Sequence, residues 1–191
     1  MSMDWFERNW MFTGVVAGLF LLALVPLLVG GWSLPLILIY LQLPIYLFHQ
    51  LEEHYDDRFR RFVNDHVARG LPALTTPAIV VINIPGVWGI NLVALYLAYF
   101  VHLGLGLIAV YLTLVNAIAH IGAMIVLRRY NPGLVTALVL FLPFGTWALV
   151  AIDRAGGGTT RYHAIGLAAA VLIHAAILVH VKLRVRALSA A

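Results

Sequence analysis

From Ala78 to Leu127 the chain runs for fifty residues without an aspartate, glutamate, lysine or arginine. In water a stretch of that length would have no solvated face. In a bilayer it is about twice what one helix needs, because a span takes about 20 mostly apolar residues. The stretch therefore predicts two spans, with a turn near His102, Gly104 and Gly106. Applied along the whole chain, the same reading predicts an all-α polytopic membrane bundle of about six transmembrane helices, approximately at 12–29, 34–52, 78–100, 106–127, 134–152 and 162–181. Composition agrees: 63% of residues are hydrophobic and 10% are charged, whereas soluble domains carry roughly a quarter charged residues. Residues 1–191 are expected to form a single integral membrane domain, with no room for a soluble one. The first apolar run reads as a span rather than a removed signal peptide, since no small-residue cleavage site follows it.

Lysine and arginine set the expected orientation. Arg8, Arg58, Arg60, Arg61, Arg69, Arg128, Arg129, Lys182, Arg184 and Arg186 fall on one side of this arrangement, and Arg154 and Arg161 on the other. Both termini are thus expected in the cytoplasm, with the chain in a bacterial inner membrane or a plasma membrane. The net charge of +4 reflects this topology, and no nucleic-acid partner is expected. The chain has no cysteine, which excludes disulfides, thiolate nucleophiles and iron–sulfur ligation. The charged stretch from Glu52 to Gly70 reads as an interfacial helix or ordered loop, with Phe59, Phe62 and Val63 free to touch the membrane and His66 solvated. Trp5, Trp10 and Tyr130 fit an aromatic belt.

Ionisable groups inside a membrane are costly and mark functional candidates. His120 lies eight residues before Arg128 and His174 eight before Lys182, each roughly 12 Å along a helix. His49 lies seven before Asp56 and Asn83 seven after Thr76, each roughly 10 Å in. Four spans thus carry a polar side chain to one depth. His49, Glu52 and Glu53 stand at i, i+3 and i+4, and Asn116 and His120 at i and i+4, so each set shares a helix face. Pro85 and Gly86 are placed to break the third span beside Asn83.

Imidazole and carboxylate are ligands for zinc, iron and manganese, and helical bundles assemble metal sites from such residues on facing helices. His49, Glu53, His120 and His174 are the expected ligands of a divalent metal ion. Glu52, Glu53 and Asn116 are expected catalytic groups. The same residues without metal make an acid–base unit. Taken singly, each has a plainer reading: Glu52, Glu53 and His54 as a solvated helix end, His120 and His174 as packing residues, and the asparagines as bridges between helices.

His49-Gln50-Leu51-Glu52-Glu53 resembles the signature of the HXXEE-domain membrane proteins. Asn116 to His120 resembles that family's N-x-x-x-H motif, and Tyr130-Asn131-Pro132-Gly133 its Y-x-P-G motif, in the family's order. The resemblance implies a multi-span membrane protein suspected of enzymatic activity, with Tyr130 added to the catalytic groups and Pro132 and Gly133 to the site. It implies no substrate and does not cover His174. The function expected is a membrane-embedded enzyme, metal-assisted, of the hydrolase or oxidoreductase class. It would act from the cytoplasmic side on a lipophilic small molecule, with the lipid bilayer as its other partner. A proton-coupled transporter or ligand-binding membrane protein is the alternative class, and a purely structural bundle a third.

Overall fold

The computed structural model describes residues 3–190, whose regular structure is all helical, without strands. The helices are α1 (Met3–Val29), α2 (Leu34–His54), a short α3 (Arg58–Phe62), α4 (Thr76–Phe100), α5 (Leu107–Leu127), α6 (Leu134–Arg154) and α7 (Thr160–Ser189). Six helices are long and apolar enough to cross a membrane. Their outward faces carry Phe20, Leu27, Phe100, Val126 and Leu172, each more than two-thirds exposed. A surface of that kind suits lipid as solvent and fits an integral membrane protein. The Arg8 side chain lies outside the described residues.

Sequence fixes where helices stop. Gly31 and Trp32 close the α1–α2 turn on the Leu28 carbonyl. His102 caps the turn before α5 by accepting a hydrogen bond from the Gly104 amide through Nδ1 (3.0 Å). α1 packs along α2, with Gly14 and Gly18 set against Leu47, a small-x-x-x-small face that lets two membrane helices approach closely.

Three expectations need correction here. The helix assumed in counting the depth of His49 from Asp56 does not run that far, because α2 ends at His54. Asp56 and Asp57 both take left-handed backbone angles (φ 52° and 58°), which turns the chain sharply at the end of the helix. The segment that follows does not offer its aromatic face to the membrane. Val63 is buried in a cluster with Trp10, Leu74, Ile79 and Val181, and Phe59 and Phe62 pack against it. Trp10 is likewise no belt residue. It is 2% exposed, with its ring 5.0 Å from His54 and 6.1 Å from Trp88.

Beside the candidate residues the helices are not regular. α4 widens into a π turn over Ile82–Trp88, with Pro85 inside it. α6 does the same over Ala137–Phe141. Such wide turns concentrate at functional sites. Pro85 loosens α4 without breaking it, because the wider ring of backbone bonds accommodates a residue with no N–H.

Candidate metal centre

The site is assembled around Glu53, whose carboxylate is 5% exposed. His49, one helical turn earlier on α2, brings Nε2 to 3.5 Å from Oε2. His120 of α5 brings Nε2 to 3.1 Å from Oε1. The ligand atoms of His49, Glu53 and His120 all lie within 4.8 Å of one another, and all three residues are buried.

The outer nitrogens of both rings are held by neighbours. Asn131 donates its amide to the His120 carbonyl (2.9 Å), so its Oδ1 is the acceptor facing His120 Nδ1 at 2.5 Å. His120 Nδ1 therefore carries a proton. Thr136 has one hydroxyl hydrogen, which it donates to Glu52 Oε2 (2.5 Å). It must then accept from His49 Nδ1 (2.7 Å), so that nitrogen also carries a proton. In the neutral tautomers both Nε2 lone pairs point at the Glu53 carboxylate. His49 Nε2 has no hydrogen-bond partner at all.

Three lone-pair donors converging in a buried space repel one another. Desolvating the carboxylate alone costs several kcal/mol. A cation among them reverses both effects. Two ligand atoms held tetrahedrally about 2.1 Å from one ion stand roughly 3.4 Å apart, close to the 3.5 and 3.1 Å seen here. Protonated outer nitrogens with a hydrogen-bonded partner are the usual second support of metal-binding histidines. The residues present fit a divalent ion.

Glu52 departs from its neighbour. Its carboxylate accepts from the Tyr130 hydroxyl (2.7 Å), the Val135 amide (3.1 Å), the Thr136 amide (2.7 Å) and the Thr136 hydroxyl. It thereby caps the N-terminus of α6 from another helix, where negative charge is favoured. It takes the place of a cap that Gly133, lacking a side chain, cannot supply. Glu52 thus contacts His49 only through Thr136. Tyr130 brings its hydroxyl to Glu52 and not to the cluster. It is half exposed, and burial of the hydroxyl beside Glu52 pushes its pKa up to about 12.

Gly133 closes the cluster. Its φ is +98°, and a Cβ there would stand 2.6 Å from His120 Cε1, 2.8 Å from Glu53 Cγ and 2.8 Å from His49 Cε1. Only glycine brings the loop that close. Phe141, from the π turn of α6, lies against the His49 ring (4.1 Å).

His174 is not in the three-residue group. Its Nδ1 donates to Ala170 O on its own helix (2.8 Å), and the ring lines the adjoining cavity. Asn116 also lines that cavity, with its Oδ1 unpaired. Sequence reasoning missed His54, Asn131 and Thr136. His54 is no solvated helix end: it is 6% exposed, and its Nε2 accepts from Asn83 Nδ2 (3.2 Å). Asn83 accepts from Gln50 (2.8 Å), which accepts from the Trp88 indole (2.7 Å). That one-way chain occupies the Nε2 lone pair and leaves His54 a neighbour of the cluster, not a ligand. For Asn131 a signal was present, a polar residue inside the Y-x-P-G stretch. For Thr136 it was a hydroxyl in the first turn of a span.

No curated protein and no solved structure matches the chain. Residues 40–148, more than half of it, match the family described as proteins of unknown function with an HXXEE motif. The match covers His49, Glu52, Glu53, His120 and Gly133 together, and the chain belongs to that family.

Proposed function

We propose that the protein is a membrane-embedded enzyme, assisted by a divalent metal, that acts on a lipophilic substrate from the cytoplasmic side. The observation that carries this is the meeting of two tautomer-fixed histidines and a buried carboxylate, with His49 Nε2 left unpartnered. His49, Glu53 and His120 would hold the ion. Two imidazoles and a carboxylate suit zinc or non-haem iron, so a bound ion would supply Lewis-acid activation of water or activation of oxygen. Asn131, Thr136 and Glu52 keep the two rings in the tautomer that offers Nε2. Gly133 and Phe141 shut out bulk water on two sides. His54, its Nε2 lone pair occupied by Asn83, stands 3.5 Å from Glu53 Oε2 as a third imidazole at the edge of the site.

Transport is the weaker reading. A proton path needs a connected line of polar groups through the other half of the bundle; there Leu38, Ile39, Leu107, Val110, Ala148 and Ile152 pack together, and the buried Gln42, Asn91 and Thr113 each bond back to their own helix. The cytoplasmic orientation rests on the split of basic residues along the chain, ten against two. A reporter fused after Ala191 should be active in the cytoplasm, and activity on the far side alone refutes the orientation.

Elemental analysis tests the core of the proposal. Full-length protein purified from metal-replete cells should carry close to one equivalent of zinc, iron or manganese, and the His49→Ala, Glu53→Ala variant should carry none. If the wild-type protein is metal-free, the same groups serve as an acid–base unit instead.

A further inference from the structure

Beside the cluster lies a cavity of about 250 Å³. Three helices each give it one face. Ile79, Ile82, Asn83 and Val87 come from α4, and Leu112, Asn116, Ala119, His120 and Ala123 from α5. Ile173, His174, Ile177, Leu178 and Val181 come from α7. These spacings of three, four, five and eight residues are those of single helical stripes. The polar members Glu53, His54, Asn83 and His120 gather at one end, linked by the contacts described above. Leu112 lies two turns beyond His120, roughly 12 Å further along α5, where it packs with Val87, Ala117 and Phe141. The cavity therefore runs from the cluster into apolar surroundings.

It also reaches the outside. Leu178 lines it and is 57% exposed. It lies four residues before Lys182, roughly 6 Å along α7, so the opening faces the flank of the bundle rather than the aqueous end. Ala119 and Ala123, at i and i+4 on α5, leave the room that larger residues would fill.

We propose that this cavity takes the single hydrocarbon chain of a membrane amphiphile, entering from the lipid past Leu178. A cavity of about 250 Å³, on the scale of roughly eight waters at about 30 Å³ each, has room for one short alkyl segment. The apolar walls exclude a soluble polar substrate. On the enzyme reading above, on which this part rests, the bond acted on lies where chain meets head. His120 sits roughly 12 Å inward of Arg128, below the headgroups and level with the first carbons of a neighbouring lipid. Asn116 and His174 stand at that junction.

The test uses the full chain in lipid nanodiscs and a neutral probe, dodecanol carrying a mid-chain diazirine, with adducts mapped by peptide mass spectrometry. Irradiation should label Leu112, Ile173 and Ile177, and unlabelled dodecanol should compete where butanol does not. Ala123→Phe should cut labelling at these residues about tenfold while leaving the metal content unchanged. If that variant does not fold, the dodecanol-against-butanol competition in the wild-type protein decides alone. Labelling confined to outward residues such as Phe20 and Leu172, with none at Leu112, overturns the proposal. His120→Ala separates the two readings: it should lose metal and keep the Leu112 adduct. A metal-free wild-type protein that still labels at Leu112 removes the metal reading and leaves chain binding standing.

Discussion

Around Leu38, Leu107 and Ile152 the helices are regular and the interior is filled by aliphatic side chains that are almost wholly buried. Around Glu53 the same helices behave differently. α4 and α6 widen into π turns, a glycine stands where a Cβ would collide with three ligand side chains, and imidazoles and a carboxylate are buried together. The first region does hold titratable groups. His163 bridges Asp153 (2.9 Å) and the Tyr111 hydroxyl (2.8 Å). Each of these has an ordinary partner and partial exposure, so the trio ties three helices at modest cost. In the second region His49 Nε2 is wholly buried with no hydrogen-bond partner and, unlike the equally unpaired amide oxygens of Gln42 and Asn91, it belongs to a titratable group that faces a buried carboxylate at 3.5 Å. The difference separates polar groups that hold a membrane bundle together from groups held in place for something else.

Substitutions can break this comparison, and their effects on a bound ion should fall in order. Gly133→Ala should have the largest. Its left-handed backbone alone costs about 1–3 kcal/mol for a residue with a Cβ, and the new methyl would displace both histidines. Ion content should fall to background and the thermal midpoint should drop. An alanine variant that keeps the ion would mean that the loop does not close the cluster.

Asn131→Ala and Thr136→Val come next. Each frees one ring to change tautomer, and such supporting partners are worth about 10–100-fold in metal affinity. Titration of the chelator-stripped protein with zinc checks this. Equal affinity in the variants would reduce the tautomer argument to packing.

Tyr130→Phe should act less, through Glu52 alone, and pH shows its contact. With the pKa raised to about 12 from an ordinary value near 10, the hydrogen-bonded phenol adds stability that is complete below about pH 10 and is lost as pH rises toward 12. Ultraviolet titration of Tyr130→Phe should show the late-ionising part of the tyrosine signal reduced by one residue relative to the wild-type protein. Leu38→Ala, in the apolar region, completes the contrast. It should lower stability by about 2–5 kcal/mol and leave ion affinity unchanged; a lost ion there would mean that the two regions are not independent.

The fold was readable because the bilayer imposes a length and an apolar pattern on each span, and charge runs mark the turns. Most span starts moved by no more than three residues between sequence and structure. The convergence of His49, Glu53 and His120 was readable too, because helical spacing gives face and depth. The ends of α2 and the course of Phe59 to Val63 were not. Two consecutive left-handed aspartates have no sequence mark, and an aromatic face at the interface looks alike whether it meets lipid or protein. Glu52 misled for a related reason. Adjacent glutamates read as one pair, yet neighbours on a helix diverge by about 100°, which sent Glu52 to the start of α6 and Glu53 to the histidines. Thr136 and Asn131 matter through hydrogen bonds across helices, which spacing along one helix does not encode.

The central claim is that His49, Glu53 and His120 hold one divalent ion through Nε2, carboxylate and Nε2. X-ray absorption at the zinc edge, on stripped protein reloaded with one equivalent of zinc, tests it most directly. The account predicts two imidazole nitrogens and carboxylate oxygen at about 2.0–2.2 Å from the metal, with one imidazole contribution lost in His120→Ala. A shell of oxygen alone, unchanged by that substitution, would contradict it.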